Sequence, residues 1–297
     1  MSALFVWLQY LLPHHLLCRM VHALTRARLT WLKNLLIAAF MRAYRPVMAD
    51  AIEPEPRRYA SFNAFFTRAL RPGARPADPD PDSVVSPCDG TLSVAGVLQE
   101  NQMLQAKGHA FSLEALLGDA GTCASALHGG LYATLYLAPF NYHRVHMPLA
   151  GRLTAAWHVP GRLFSVNAAT VARVPGLFAR NERVICAFEG EHGPFVVVLV
   201  GALFVGSIST VWHGEVTPWR TVAATAAGPV RGVHRLEPAG SAALWQPRGA
   251  ELGLFNMGST VLLLLPPMLA RWQAGLQPGA ALAVGQPLGR LLAPPHR

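Results

Sequence analysis

Two kinds of hydrophobic spacing divide the chain. From Arg19, polar residues recur in steps of three and four at Arg19, His22, Arg26, Thr30 and Lys33, while Met20, Leu24, Ala27, Trp31 and Leu35 form the opposite stripe. That spacing predicts a basic amphipathic helix. Arg28 falls near the apolar side, which predicts a break into two shorter helices. The apolar run before it, Met1 to Cys18, is interrupted by Gln9, Pro13, His14 and His15, too often for the roughly 20 apolar residues that a spanning helix needs. A further helical stretch over Tyr59 to Leu70 carries Phe62, Phe65, Phe66 and Leu70 and stops at Arg71-Pro72-Gly73.

Pro76, Pro79 and Pro81, set among Asp78, Asp80 and Asp82, cannot hold a helix or a strand ladder. The boundary is therefore expected here, with residues 1–75 a membrane-associating helical segment and residues 76–297 a β-rich catalytic domain. Beyond Val84 the pattern becomes short β-branched runs: Gly90 to Leu98, Leu131 to Leu137, Gly151 to Val159, Arg183 to Phe188, Phe195 to Val200, Gly206 to Val211, Gly228 to Leu236 and Val261 to Leu265. Ser112 to Leu117 reads as one short helix with Ser112 as N-cap. The expected class is α+β, a mainly β, antiparallel core, sandwich or barrel-like, behind N-terminal amphipathic helices.

Composition sharpens this picture. With 52% hydrophobic and 14% charged residues, the chain excludes intrinsic disorder as its main state. The net charge of +9 is uneven, because residues 1–49 hold six basic residues and no acid. Basic residues opposite Trp and Leu suit a helix lying in the headgroup region of an anionic membrane. Packing of the helix on its own domain is the alternative, and the absence of acids favours the membrane. A nucleic-acid partner is not expected, since the segment lacks the polar composition and stacking aromatics of such surfaces. Cys18, Cys88, Cys123 and Cys186 show no CxxC or paired spacing and read as reduced thiols; no export signal is expected.

Candidate chemistry lies in three places. In Ser86-Pro87-Cys88-Asp89-Gly90, Asp-Gly is a common turn dipeptide, so Asp89 alone reads as structural. The run Asn141-Tyr142-His143-Arg144-Val145-His146-Met147-Pro148 sets two histidines three apart. Zinc is not expected there, because no carboxylate ligand completes the set and residues three apart on an extended segment face opposite sides. In Phe255-Asn256-Met257-Gly258-Ser259-Thr260, a Gly-Ser step opens a buried strand, where glycine permits close approach and unusual torsions. It is not the GxSxG elbow of an α/β-hydrolase. Together Asp89, His146 and Ser259 would suffice for a nucleophilic triad if the fold united them.

At these residues the sequence resembles the phosphatidylserine decarboxylase family of pyruvoyl-dependent enzymes. The resemblance rests on Phe65-Phe66-Thr67-Arg68 with Leu70-Arg71-Pro72, Ser86-Pro87 with Asp89-Gly90, Lys107-Gly108 with Ser112-Leu113 and Leu116-Leu117-Gly118, Tyr142 to Pro148, and Gly258-Ser259-Thr260, in the family's order. Met257 stands where the family often has Leu, and Cys88 where Ala is common.

The resemblance implies that Ser259 is both nucleophile and cofactor precursor. His146, oriented by Asp89, would deprotonate the Ser259 hydroxyl so that Oγ attacks the Gly258 carbonyl. Elimination from the resulting ester would end one chain at Gly258 and leave a dehydroalanine that tautomerises and hydrolyses, with loss of ammonia, to a pyruvoyl group at position 259, whose ketone serves as the electron sink that pyridoxal phosphate provides elsewhere. His143 is assigned to the carboxylate or to the return of a proton. Catalytic residues are thus expected at Asp89, His143, His146 and Ser259, with the cleavage site at Gly258 and Ser259 and no metal. Only Lys33 and Lys107 are present, which argues against a pyridoxal enzyme. The implied partners are phosphatidylserine, an anionic surface on the cytoplasmic side of a bacterial membrane, and a second processed protomer in a homodimer. A serine hydrolase and a non-catalytic lipid-binding protein are the rivals from other classes.

Overall fold

The computed structural model describes residues 2–99, 101–105, 109–118, 124–204, 207–217, 233–236 and 245–293. Three helices open the chain: α1 (Ser2–Leu11), α2 (His14–Arg26) and α3 (Thr30–Tyr44). The break expected near Arg28 falls between α2 and α3. No helix of the described residues is long and apolar enough to cross a membrane.

The amphipathic helices do not pack their apolar stripe on the domain. Three of the five residues of the polar stripe face the protein, His22 and Arg26 contacting Glu215 and Lys33 buried with Nζ 2.7 Å from the Arg57 carbonyl oxygen, while Arg19 and Thr30 are exposed. The apolar stripe of Met20, Leu24, Trp31 and Leu35 faces outward, joined by Leu4, Trp7, Leu11 and Leu16. The residues that interrupt the first apolar run are its anchors. Gln9 accepts from the Ser165 amide and donates to Thr170 Oγ1, while His14 Nδ1 accepts from the Leu163 amide. Buried polar groups need partners, so these side chains fix which face turns inward.

Helix α4 is shorter than its pattern suggests, covering only Phe62–Phe66 under a Ser61 cap that accepts from the Ala64 amide. Leu70, expected at its end, instead bridges to Ala51 as Arg71 donates its amide to the Asp50 carbonyl. Phe62, Phe65 and Phe66 form a small aromatic core with Ile37 and Phe40 of α3.

The β core is built from β1 (Gly90–Val97), β2 (Leu131–Leu137), β3 (Arg144–His146), β4 (Gly151–Val159), β5 (Arg183–Gly190), β6 (Gly193–Val200), β7 (Ile208–Thr210), β8 (Gly214–Val216), β9 (Glu251–Phe255) and β10 (Ser259–Leu265). The large sheet runs β4-β5-β6-β10-β2-β1, antiparallel throughout, with short strands at both edges, and a smaller one runs β8-β7-β9-β3. Both sheets are open rather than a closed barrel. Every residue of β10 is buried, which explains a continuous apolar run where an alternating pattern would mark a half-exposed strand.

The expected strands at 131–137 and 151–159 have those limits, and Ser112 caps a helix at Leu113–Leu117 by accepting from the Ala115 amide. Of the 206–211 expectation Ile208–Thr210 is strand, and of 228–236 only His234–Arg235; Gly206 and residues 228–232 lie outside the described residues, as do Lys107, Gly108 and Cys123. Cys88 and Cys186 are buried free thiols, and Cys18 is buried as well.

Candidate active site

Two connections cross side by side from one sheet to the other. After β2 the chain leaves the large sheet through residues 138–143 and enters the small one as β3; after β9 it leaves the small sheet through Asn256, Met257 and Gly258 and enters the large one as β10. Because β2 pairs with β10 and β3 with β9, the two crossings share one seam. Phe255 donates its amide to the His143 carbonyl at 3.0 Å, and Ser259 is paired with Leu137. The Gly-Ser step and the first histidine, more than a hundred residues apart in sequence, therefore meet.

The segment before the step is firmly held. The Asn256 side chain donates to the Ser207 carbonyl, Ser207 Oγ and Ser209 Oγ, and Asn63 of α4 donates to both the backbone and the side-chain oxygen of Asn256. Met257 packs against both hydrophobic cores. Gly258 is not forced into a left-handed torsion, and a Cβ on it would lie 3.5 Å from the Leu137 carbonyl oxygen and 3.6 Å from His143 Nε2, both ordinary contacts. Thus the torsional freedom anticipated for this glycine is not used in the continuous chain. Gly90, beside Asp89, is the sterically required one: a Cβ there would sit 2.5 Å from the Tyr136 carbonyl oxygen.

His143 is wholly buried against Phe66, with ring centroids 4.1 Å apart. Its Nδ1 lies 2.9 Å from the Asn141 carbonyl oxygen, which can only accept, so Nδ1 carries the hydrogen and Nε2 the lone pair. Nε2 has no hydrogen-bond partner and faces Gly258. Burial pushes the pKa of this imidazole down to about 3, so it is neutral. The Ser259 and Thr260 hydroxyls are also buried without partners. Two unsatisfied polar atoms, His143 Nε2 and Ser259 Oγ, thus lie at the Gly258–Ser259 step, an arrangement that costs free energy in the resting chain.

His146 and Asp89 occupy a different setting. The His146 amide donates to the Pro87 carbonyl at 2.7 Å, which ties β3 to the Asp89 turn. Its Nδ1 donates to the Gly249 carbonyl at 2.8 Å, leaving Nε2 to accept from the Tyr142 hydroxyl at 3.1 Å. Burial lowers its pKa, against the opposing pull of the Gly249 carbonyl and, more weakly, of the Glu251 and Asp89 charges. Asp89 is not hydrogen-bonded to His146. Its carboxylate takes Arg75 Nε at 3.0 Å and Nη2 at 2.8 Å, and the Val284 amide at 2.9 Å. The sequence reading in which Asp89 orients His146 is corrected accordingly: the orienting acceptor is the Gly249 carbonyl. The physical reason is that Arg75 offers a bidentate, charge-assisted pair, which a neutral imidazole cannot match.

Asp89, His146 and Ser259 are thus not linked by hydrogen bonds in the continuous chain. Sequence reasoning missed Arg75, which it left at the end of the N-terminal segment, and the roles of Tyr142 and Asn256. Backbone acceptors such as Gly249 and Asn141 leave no sequence signal. No group of three or more His, Cys, Asp or Glu residues that could hold a metal occurs among the described residues.

The chain was compared with known proteins. A family profile described as phosphatidylserine decarboxylase matches residues 62–290, and a second, described as PSD, matches residues 4–45. Relatives named phosphatidylserine decarboxylase proenzyme include those of Methylococcus capsulatus, 49% identical over 96% of each chain, and Azotobacter vinelandii, 48% identical over 97% of this chain and 98% of its own. That of Stutzerimonas stutzeri is 47% identical over 97% of this chain and 94% of its own.

Proposed function

The chain belongs to the phosphatidylserine decarboxylase family, and from that premise we propose that it is a proenzyme that cleaves itself between Gly258 and Ser259 and then converts phosphatidylserine to phosphatidylethanolamine and CO2. The observation that carries this reading is the sealed, unpartnered Ser259 hydroxyl beside Gly258, with a neutral histidine nitrogen facing the same step. A hydroxyl with no hydrogen-bond acceptor to satisfy is free to turn toward the preceding carbonyl carbon.

His146 is the proposed base for cleavage. Its proton affinity is reduced less than that of His143, whose pKa near 3 makes it a weak base at neutral pH. To act, His146 Nε2 exchanges the Tyr142 hydroxyl for that of Ser259. Asp89 supports the resulting imidazolium through space, as its sign of influence on His146 requires. His143, neutral and with its Nε2 lone pair aimed at the cleavage step, is proposed to take a proton from the substrate's ammonium group and to return that proton to the reacting carbon once CO2 has left.

The residues present fit a pyruvoyl group derived from Ser259. Position 259 opens a strand held by β2 on one side and, from Thr260 onward, by β6 on the other, so it stays in place when the preceding bond breaks. Such a group supplies an electron sink for the pair left by departing CO2. The cavity of about 220 Å³ beside Gly258 has mainly apolar walls, among them Phe40, Phe66, Leu137 and Met257, with Ser165 and Asn167 as polar members, a lining that favours loss of a charged carboxylate.

The outward apolar faces of α1, α2 and α3 are proposed to enter the headgroup layer of the cytoplasmic leaflet, with Arg19, Arg28 and Arg42 exposed among them. High salt should then release little protein from membranes and detergent most of it, while an equal release by both would contradict apolar insertion. Processed protomers are proposed to pair as homodimers.

Intact mass is the deciding test. Wild-type protein should give one chain ending at Gly258 and one beginning with a blocked residue 259, and should release CO2 from phosphatidylserine after dialysis against EDTA and without added pyridoxal phosphate. A single chain of unmodified mass that is nonetheless active would refute the pyruvoyl reading. A single inactive chain would favour the hydrolase or lipid-binding alternatives.

A further inference from the structure

Arg68 follows α4 directly and is only 3% exposed. Its Nη2 reaches the Phe140 carbonyl at 3.3 Å and the Asn141 carbonyl at 3.5 Å, both long contacts. Nε and Nη1 are buried with no hydrogen-bond partner. The arginines around it differ. Arg75 is matched by Asp89 and Asp50, and Arg144 by Glu251, so the neighbouring carboxylates are already engaged. The Tyr59 hydroxyl donates elsewhere, to the Glu53 carbonyl.

A buried guanidinium with two idle nitrogens is costly unless an anion completes it. Its position says which site that anion occupies. The Asn141 carbonyl accepts from both Arg68 Nη2 and His143 Nδ1, and the opposite nitrogen of the same imidazole faces Gly258. Arg68 and the cleavage step therefore flank one histidine ring. The cavity at Gly258 also reaches Pro139, in the loop that Arg68 holds.

We propose that Arg68 binds the phosphodiester of the substrate's head group, and so selects serine phosphodiesters over free serine. This rests on the decarboxylase reading of the same site. The substrate offers two anions, and the reaction distinguishes them. A cation fixed on the carboxylate would stabilise a charge that vanishes as CO2 leaves, which raises the barrier. The phosphodiester keeps its charge throughout, so gripping it adds binding common to ground and transition states. The mainly apolar cavity at Gly258, which holds no charged side chain, suits the departing carboxylate, and the idle cation behind the loop suits the phosphodiester.

The test uses processed full-length enzyme in mixed micelles. Arg68→Gln should raise KM for phosphatidylserine about ten- to hundredfold, with kcat changed by less than about threefold. Glycerophosphoethanolamine should inhibit the wild-type enzyme competitively while ethanolamine at the same concentration does not, and Arg68→Gln should lose that inhibition. Arg68→Lys keeps the charge with fewer donors and covers the case in which the Gln variant fails to mature: weaker inhibition supports the proposal, and unchanged inhibition overturns it. A fall in kcat at unchanged KM also overturns it, because Arg68 would then act on the carboxylate or through His143. Wild-type enzyme that turns over phosphatidylserine without inhibition by glycerophosphoethanolamine refutes the role of Arg68 alone. Wild-type enzyme that does not turn over phosphatidylserine refutes the underlying function instead.

Discussion

The two histidines of one short strand region sit in opposite kinds of surroundings. Around His146 the polar groups are matched: Gly249 and Tyr142 serve the imidazole, and Arg75 with the Val284 amide serves Asp89. Around His143 they are not, since its Nε2 and the Ser259 hydroxyl are both buried without partners. The matched corner is built to hold position. The unmatched seam keeps reactive atoms desolvated and uncommitted next to the bond they are proposed to break, at a cost met by the apolar strands β10, β2 and β6 that enclose it.

The largest expected effect that tests this contrast comes from Ser259→Ala, which should abolish cleavage and leave one chain by gel and mass. Because the lost hydroxyl has no partner, the variant precursor should be no less stable than wild type and up to about 1 kcal/mol more stable by denaturant unfolding. A clear destabilisation would mean that the seam is better satisfied than the structure indicates.

His146→Ala should slow cleavage by about 10²–10⁴-fold, followed by mass spectrometry over time. Asp89→Asn should slow it less, because Asp89 acts on His146 only through space, yet it should cost about 1–3 kcal/mol of stability through the lost pairing with Arg75. Equal effects of the two variants on cleavage, with no loss of stability in Asp89→Asn, would restore a direct Asp89–His146 contact.

Acid should expose the buried His143. Unfolded histidine binds a proton near pH 6.5 and the folded residue only near 3, so between these values the unfolded state holds more protons. Its contribution therefore makes stability fall as pH drops from about 6.5 toward 3, and His143→Asn in the Ser259→Ala background should flatten that slope. An unchanged slope would place the acid sensitivity elsewhere. The smallest effect is expected from Gly258→Ala: its Cβ meets only ordinary contacts, so the precursor should gain about 0.4–1 kcal/mol while cleavage continues at a reduced rate.

Much of this was legible in the chain itself. Period and punctuation set the strands at 131–137 and 151–159, the capped helix at 113–117 and the break between α2 and α3, because those features depend on local torsions and caps. Residue types also marked Asp89, His143, His146, Gly258 and Ser259 as candidates. The direction in which the amphipathic helices turn was decided elsewhere: a helical wheel has two faces, and only the Glu215, Ser165 and Leu163 partners of Arg26, Gln9 and His14 say which one faces the protein. Likewise the meeting of His143 with Gly258, the transfer of Asp89 to Arg75 and the idle guanidinium of Arg68 arise from strand pairing between distant segments. Sequence sets what each residue can donate, accept or bury; which of those capacities is used, and which is left open, depends on neighbours that only the folded chain supplies.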